Sequence, residues 1–385
     1  MHLFLQIQGG QLQPLATKEV YRTRGRPSAG NQLAMLTAAI ASCLISVSKA
    51  DEGLQRYAGS RRSMGVSWTV SVYTTSQTIA EPAIEAALDE VVRLEQILSD
   101  YLPESELSQL SASAPTPEPV AVSDDLWRVL ERSVALRDAT GGAFDPTIGP
   151  LTTLWRRARR SGRLPAQHKL ETARRAVGPA RLRLEPRQQA VALTADGMRL
   201  DLGGIGMGYA IDRALAVLRE QKIAIAMIDA SGDIGVMGQP PETAGWRIEI
   251  DPLGRRGSAA EGETIPPPLV LTLTDGAITT SGDAFQAVDI DGIRYSHIVD
   301  PRTGLGVIGS TGVTVIAADA TTADSLATTV SVLGPDAGLP LVEATPSAAA
   351  RFVQLEAGQP VIIESARWPQ HVPSPTYPAN NSKRP

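Results

Sequence analysis

The chain has 385 residues, enough for one large α/β unit or for two or three smaller domains. Hydrophobic residues make up 43% and charged residues 20%, which excludes coiled coil, collagen and wholesale disorder. A formal charge of −5 with no run of interleaved basic and aromatic residues leaves no footprint for nucleic acid, and a single cysteine, Cys43, excludes an internal disulfide and any cysteine-held zinc.

The amino terminus reads as an address. Arg22, Arg24 and Arg26 precede an apolar run from Leu33 to Val47, and the small residues "SKA" stand ahead of Asp51; this is the layout of a secretory signal. The run is shorter than the roughly 20 apolar residues of a spanning helix. Two processing readings stand: removal after Ala50, or lipid attachment at Cys43 within "IASC", which resembles a bacterial lipobox. Either one puts the mature chain on the exported, periplasmic side, in the second case anchored to the inner membrane. Residues 1–50 are therefore read as an extension plus signal segment.

In the body, "SMGVSWTVSVYTT" alternates at period two and predicts the first strand, with Val66, Trp68, Val70 and Val72 on one face. Residues 80 to 98 place Ile84, Leu88, Val91, Val92, Leu94 and Leu98 at helical spacing and predict an amphipathic helix. "SDDLWRVLERSVALRDATGG" opens on a capping residue and ends in Gly141-Gly142, a second helix with a glycine stop. "AVALTADGMRLDL" predicts a hairpin turning at Asp-Gly, and "YAIDRALAVLREQ" a third helix. Strands follow in "IAIAMIDAS", "WRIEIDP", "LVLTLTDGAITTS", "AVDIDGIRYSHIVD" and "TGVTVIAA", and "TTADSLATTVSVLG" is a late helix stopped by Gly334-Pro335. Mixed elements without a strict βαβ repeat predict an α+β fold, helices packed on a largely antiparallel sheet. The segment 254–268 has the composition of a mobile surface insertion, and 369–385 that of a disordered tail.

Three stretches carry candidate chemistry. In "DLGGIGMGYAID", Gly203, Gly204, Gly206 and Gly208 permit tight turns and expose amides near a helix start, where an anion is favoured. Such glycines are more often packing devices, and the spacing fits neither the dinucleotide fingerprint nor the Walker loop. In the late helix, Asp324 and Thr328 are four apart and share a face. A carboxylate and a hydroxyl with no thiolate suit a hard cation such as Mg²⁺; a capping aspartate and a packing threonine are the plainer alternative. In "YSHIVDPRTG", His297 ends a strand beside Asp300, which makes it a candidate proton acceptor with a carboxylate partner, against a histidine merely hydrogen-bonded at a strand end. The turn "SGDAF", Ser281 to Phe285, lies just upstream.

Taken in order, these stretches resemble the bacterial FAD:protein FMN transferase family, commonly called ApbE. "SMGVSWTVSVY" resembles its opening M-G strand, "LEQILSDYLPESELSQL" its S-x-Y-x-P-x-S-E-L segment, and "GGAFDPTIGPLTTLW" its G-A-F-D-P-T-V-G-P-L-x-x-L-W signature. "DLGGIGMGYAID", "DASGDI", "TSGD", "RYSHIVDPRTG" and "ADSLATTVSVLG" complete the set. The resemblance implies a single α+β flavin transferase domain over about residues 62–365. It also implies Mg²⁺-dependent cleavage of FAD, with FMN passed to a threonine hydroxyl of a target protein, such as a membrane-associated redox subunit, and AMP released. It assigns Met64, Tyr101, Ala143, Phe144, Asp145, Asp201 and Ile278 to the FAD site, with Met207 beside the flavin. It gives the metal to Asp324, Thr328 and the main-chain carbonyl of Gly204, and leaves His297, oriented by Asp300, as candidate base.

The chain departs from the family pattern at several positions. Met207 stands where Lys or Glu is usual, Ser231 replaces a glycine, Asp229 replaces Asn, and Ala284 replaces Tyr. Two other functions fit the same residues: an FAD pyrophosphatase that uses water and yields FMN and AMP, and a flavin-binding lipoprotein without turnover.

Overall fold

A computed structural model describes residues 53–251, 253, 263–282 and 286–368. The signal segment with Cys43 and Ala50, most of the 254–268 insertion, the last part of "SGDAF" and the tail lie outside the described residues. Seven helices are present among the described residues: α1 (Gln77–Leu98), α2 (Glu106–Ala112), α3 (Asp124–Ala139), α4 (Gly149–Ser161), α5 (Gln167–Arg175), α6 (Gly206–Glu220) and α7 (Ala320–Ala344). None of them is long and apolar enough to cross a membrane.

The β-branched, alternating segments assemble an eight-stranded sheet in the order Gln55–Ser63, Val66–Thr74, Ile225–Ala230, Asp233–Met237, Gly276–Gly282, Thr311–Ala317, Ala349–Glu356, Gln359–Glu364. Every neighbouring pair is antiparallel. Period two sorts the side chains between two cores. Trp68, Val70 and Val72 are fully buried on one face, in a cluster with α1, α6 and α7; each such side chain contributes about 1.5–3 kcal/mol. Ile234, Ile278 and Ile316 point to the other face, against Trp246 and Trp368.

The sheet begins earlier than the sequence pattern predicts. Gln55–Ser63 is the first strand, an edge strand with mostly exposed residues, so it carries no apolar alternation. It joins Val66–Thr74 through Met64-Gly65, both at positive φ (49° and 78°), the backbone of a tight hairpin turn. The Asp196-Gly197 turn also differs from expectation. Ala190–Leu193 pairs backward with Leu182–Glu185, and Met198 to Leu202 form no strand; the Leu200 amide instead bonds the Ser111 hydroxyl at 3.0 Å.

Helix ends follow local chemistry. Ser123 caps α3 by accepting the Leu126 amide, and Gly141-Gly142 leave it at positive φ. The first amides of α7 are held twice over. Asp319 accepts Thr322 N–H at 2.8 Å, and Asp212 of α6 accepts Ala320 and Thr321 N–H at 2.8 and 2.9 Å. Gly334 (φ 73°, ψ 177°) interrupts α7 where a stop is predicted, but the helix resumes beyond Pro335 through Ala344, because proline is favoured at a first helical turn.

Gly208 lets α6 and α7 meet. A Cβ there would fall 2.2 Å from the Ala320 carbonyl oxygen and 2.8 Å from the Asp324 Cβ. Gly208→Ala should destabilise by about 1–3 kcal/mol or more through overpacking. Gly206→Ala, whose Cβ would meet only Leu202 Cβ at 3.8 Å, should be neutral or slightly stabilising. Urea midpoints of the two variants check the contrast.

Candidate active site

Two groups of residues converge where the turn before α6 meets α7 and α4. The first is a set of oxygen donors. Asp324 is buried on α7 and accepts the Gly208 amide at 2.9 Å. Thr328, one turn further, packs on Gly204: a Cβ at Gly204 would lie 2.9 Å from its Cγ2 and Oγ1, and 3.2 Å from Phe144 Cε2. The Thr328 hydroxyl is also 3.5 Å from that of Ser281. The structure thus brings Gly204, Asp324 and Thr328 together, with oxygen donors and no thiolate or imidazole among them. Such a set suits a hard divalent cation.

Burial raises Asp324 to about 7; the Gly208 amide opposes the shift and the charge of Asp212 adds to it. Asp145 is buried and also raised, by burial first, while the Thr147 amide and hydroxyl hold its carboxylate at 2.9 and 2.7 Å. Ala143 and Phe144 are buried beside it.

The second group is charged and centres on Arg156 of α4. Its guanidinium bonds the Asp100 carboxylate, donates to Asp201 at 2.9 Å, and lies over the Tyr101 ring 4.1 Å from the centroid. Burial opposes its charge, but Asp100 and Asp201 outweigh that and hold it protonated. Tyr101 is otherwise 70% exposed. Asp201 joins the two groups: one oxygen accepts the Gly203 amide at 2.9 Å, the other takes Arg156 and the Thr152 hydroxyl at 2.7 Å.

His297 faces this second group. The residue is exposed to solvent, yet enough protein surrounds the ring to strip part of its hydration. Burial first and the Arg159 charge second pull its pKa down to about 4, against a carbonyl of Gln286 and the charge of Asp201. It is therefore neutral, and a proton acceptor, across the physiological range. Gln286 fixes the surroundings: its carbonyl takes the His297 amide at 2.8 Å and its side chain takes Arg159 at 2.6 Å.

One expectation needs correction: Asp300 does not orient His297. Its carboxylate accepts the Arg302 amide and guanidinium at 2.8–2.9 Å, because three residues along an extended chain put two side chains on opposite faces. Ile278 has its side chain fully buried in the core on the far side of the sheet, which leaves its main chain for any contact in the site; Thr279 next to it faces α7. Met64 sits half-buried at the hairpin turn, its amide bonded to Glu95 at 2.7 Å, and Met207 is half-buried on α6. Ser231 occupies a left-handed conformation (φ 58°), strained by about 1–2 kcal/mol for a residue with a Cβ. Arg156, Arg159 and Asp100 went unpredicted; the run "RRARR" after Trp155 is the signal that marks the arginines. Clefts of about 260 and 310 Å³ lie elsewhere, against Arg132 and Asp319 and between α4 and α5.

Oxygen donors of a kind that suits a hard cation, and a neutral imidazole facing the Asp201–Arg156 group, are compatible with group-transfer chemistry. The model of the ApbE family matches residues 64–352, and the chain belongs to that family. The FAD:protein FMN transferase of Treponema pallidum (strain Nichols) is 30% identical over 314 residues, 78% of this chain and 85% of its own length. The flavin transferase ApbE from Vibrio cholerae superposes with a TM-score of 0.70 at 26% identity, over 83% of this chain and 100% of its own. The flavinyl transferase ApbE of Pseudomonas stutzeri, in its apo form, superposes with a TM-score of 0.71 at 25% identity, over 83% and 98%.

The raised carboxyl has a consequence for stability. The folded chain retains a proton on Asp324 that the unfolded chain, at an ordinary 3.8, has released. Between about pH 4 and 7 this contribution to stability falls as pH rises. Urea unfolding in a chelator should show a shallower decline for Asp324→Asn than for the parent over that window.

Proposed function

We propose that this chain is an FAD:protein FMN transferase, which moves FMN from FAD to a threonine hydroxyl of an acceptor protein and releases AMP. The observation that carries the reading is the closure of α7 on the glycine turn and the start of α6, with Thr328 against Gly204 and Asp324 against Gly208. Residues that share nothing in sequence become one donor set at the start of a helix, where phosphates are favoured.

Gly204, Asp324 and Thr328 would hold Mg²⁺, which when bound neutralises diphosphate charge and eases departure of AMP. The chain's own residues supply the rest. Gly203 and Gly204 let backbone approach the phosphates, and Asp201 fixes that turn through the Gly203 amide. Met64, Tyr101, Ala143, Phe144 and Asp145 line the approach for the flavin, with Met207 at its margin. Tyr101 offers an exposed aromatic face on which Arg156 now lies. His297 takes the proton of the acceptor threonine as its oxygen bonds the FMN phosphorus and the anhydride bond to AMP breaks. The acceptor would be a membrane-associated redox subunit on the periplasmic side, a placement that rests on the signal segment of residues 1–50.

His297→Ala should leave FAD binding nearly unchanged and slow transfer by about 10²–10⁴-fold. Mass spectrometry of a threonine-bearing acceptor incubated with FAD and Mg²⁺ reads this directly. Free FMN without acceptor labelling would assign the chain to hydrolysis, and intact FAD would assign it to flavin binding without turnover. His297 is neutral down to about pH 4, so the acid limb of transfer should follow the carboxylates. It should move to lower pH as Mg²⁺ is raised, since cation and proton compete for Asp324; a limb near 6.5 that ignores Mg²⁺ would contradict the assignment.

A further inference from the structure

The strand Gly276–Gly282 turns Thr279 and Ser281 to the helix-bearing face, since their partners across the ladder, Val315 and Val313, lie in that core. On its other side Ile278 pairs with Ile234, so the next position places Asp233 opposite Thr279 and on the same face. Gly235, two residues on, confirms the orientation: a Cβ there would run into Ile211 and Leu215 of α6. Asp233, Thr279 and Ser281 therefore project towards the α7 residues Asp324 and Thr328, and the Ser281 and Thr328 hydroxyls stand 3.5 Å apart.

The Thr279 hydroxyl carries the argument further. Thr279 is 1% exposed and its hydroxyl has no hydrogen-bond partner. It lies close enough to Asp233 to favour the ionised carboxylate, but without the geometry of a formed bond. A buried hydroxyl is rarely left unpaired unless an absent ion or water completes it. The ladder thus turns the Asp233 carboxylate and the unpaired Thr279 hydroxyl from the sheet towards the face on which α7 carries Asp324 and Thr328.

We propose that Asp233, supported by Thr279, is a second carboxylate of the divalent-cation site opposite Asp324. This rests on the cation reading given above and adds a ligand from the sheet to those from α7 and the glycine turn. Two carboxylates match the charge of a divalent ion, and the hydroxyls of Thr279 and Ser281 are placed to receive its remaining waters.

Mn²⁺ binding to the full chain without FAD, followed by electron paramagnetic resonance, tests this. Asp233→Asn should weaken Mn²⁺ binding by about 10-fold or more, and Thr279→Val by a smaller factor. The Mg²⁺-induced rise in unfolding temperature should shrink in Asp233→Asn, while its metal-free midpoint stays equal or increases. A folded Asp233→Asn protein that binds Mn²⁺ like the parent overturns the inference and leaves the transferase reading intact. If that variant does not fold, parental Mn²⁺ affinity in Thr279→Val overturns it instead. A parent chain that binds no Mn²⁺ removes both the cation reading and this extension of it.

Discussion

The contact between α6 and α7 at Gly208 governs the site. Only a residue without a side chain fits between the Ala320 carbonyl and Asp324, and its amide is the donor that holds the Asp324 carboxylate. The same helix sends Asp212 to the first amides of α7. Because α6 starts directly after the glycine turn, fixing α6 against α7 also fixes Gly204 against Thr328. Packing and chemistry here are one constraint: a helix pair held this closely gives a donor set that need not reorganise when charge arrives.

Asp201 divides the site into a dry half and a wet half while joining them. One of its oxygens anchors the glycine turn, and the other anchors Arg156 and Thr152 of α4. On the dry side, carboxylates retain protons because burial costs more than their few amide donors return. On the wet side, Arg156 keeps its charge and lies near a histidine that stays neutral. Trp155 ties α4 to the turn after His297 through a 2.8 Å bond to the Gly304 carbonyl and a tilted ring contact with Tyr295. The run from Tyr295 to Gly304 is thus mainly scaffold, and the His297 imidazole is the member left for chemistry.

Much of this was legible in the sequence where a signal is local. The α+β class followed from mixed periodicities, α1 and α3 from apolar spacing and caps, and the interruption of α7 from Gly334-Pro335. The edge strand Gln55–Ser63 was not legible, because an edge strand buries almost nothing and so leaves no alternation. The pairing of Asp300 with Arg302 shows the limit of nearness along the chain, since adjacency in an extended segment is not adjacency in space. Ile278 and Thr279 show the same limit across a sheet, where a shift of one residue exchanges the faces. Asp233 stands within "DASGDI" and Arg156 within "RRARR", but what each one meets depends on ladder register and helix packing, which a run of letters does not spell out.

The low pKa of His297 bears on the course of the proposed reaction, in which it is the base. An imidazole that protonates only near pH 4 cannot strip a hydroxyl early, when the alcohol is still a poor acid. It is well matched to a loose displacement, in which the phosphoryl group has nearly left before the incoming oxygen is bonded and that oxygen turns strongly acidic at the end. In that reaction the proton would pass late, and an imidazolium so acidic would yield it readily to solvent, leaving the ring ready for the next acceptor.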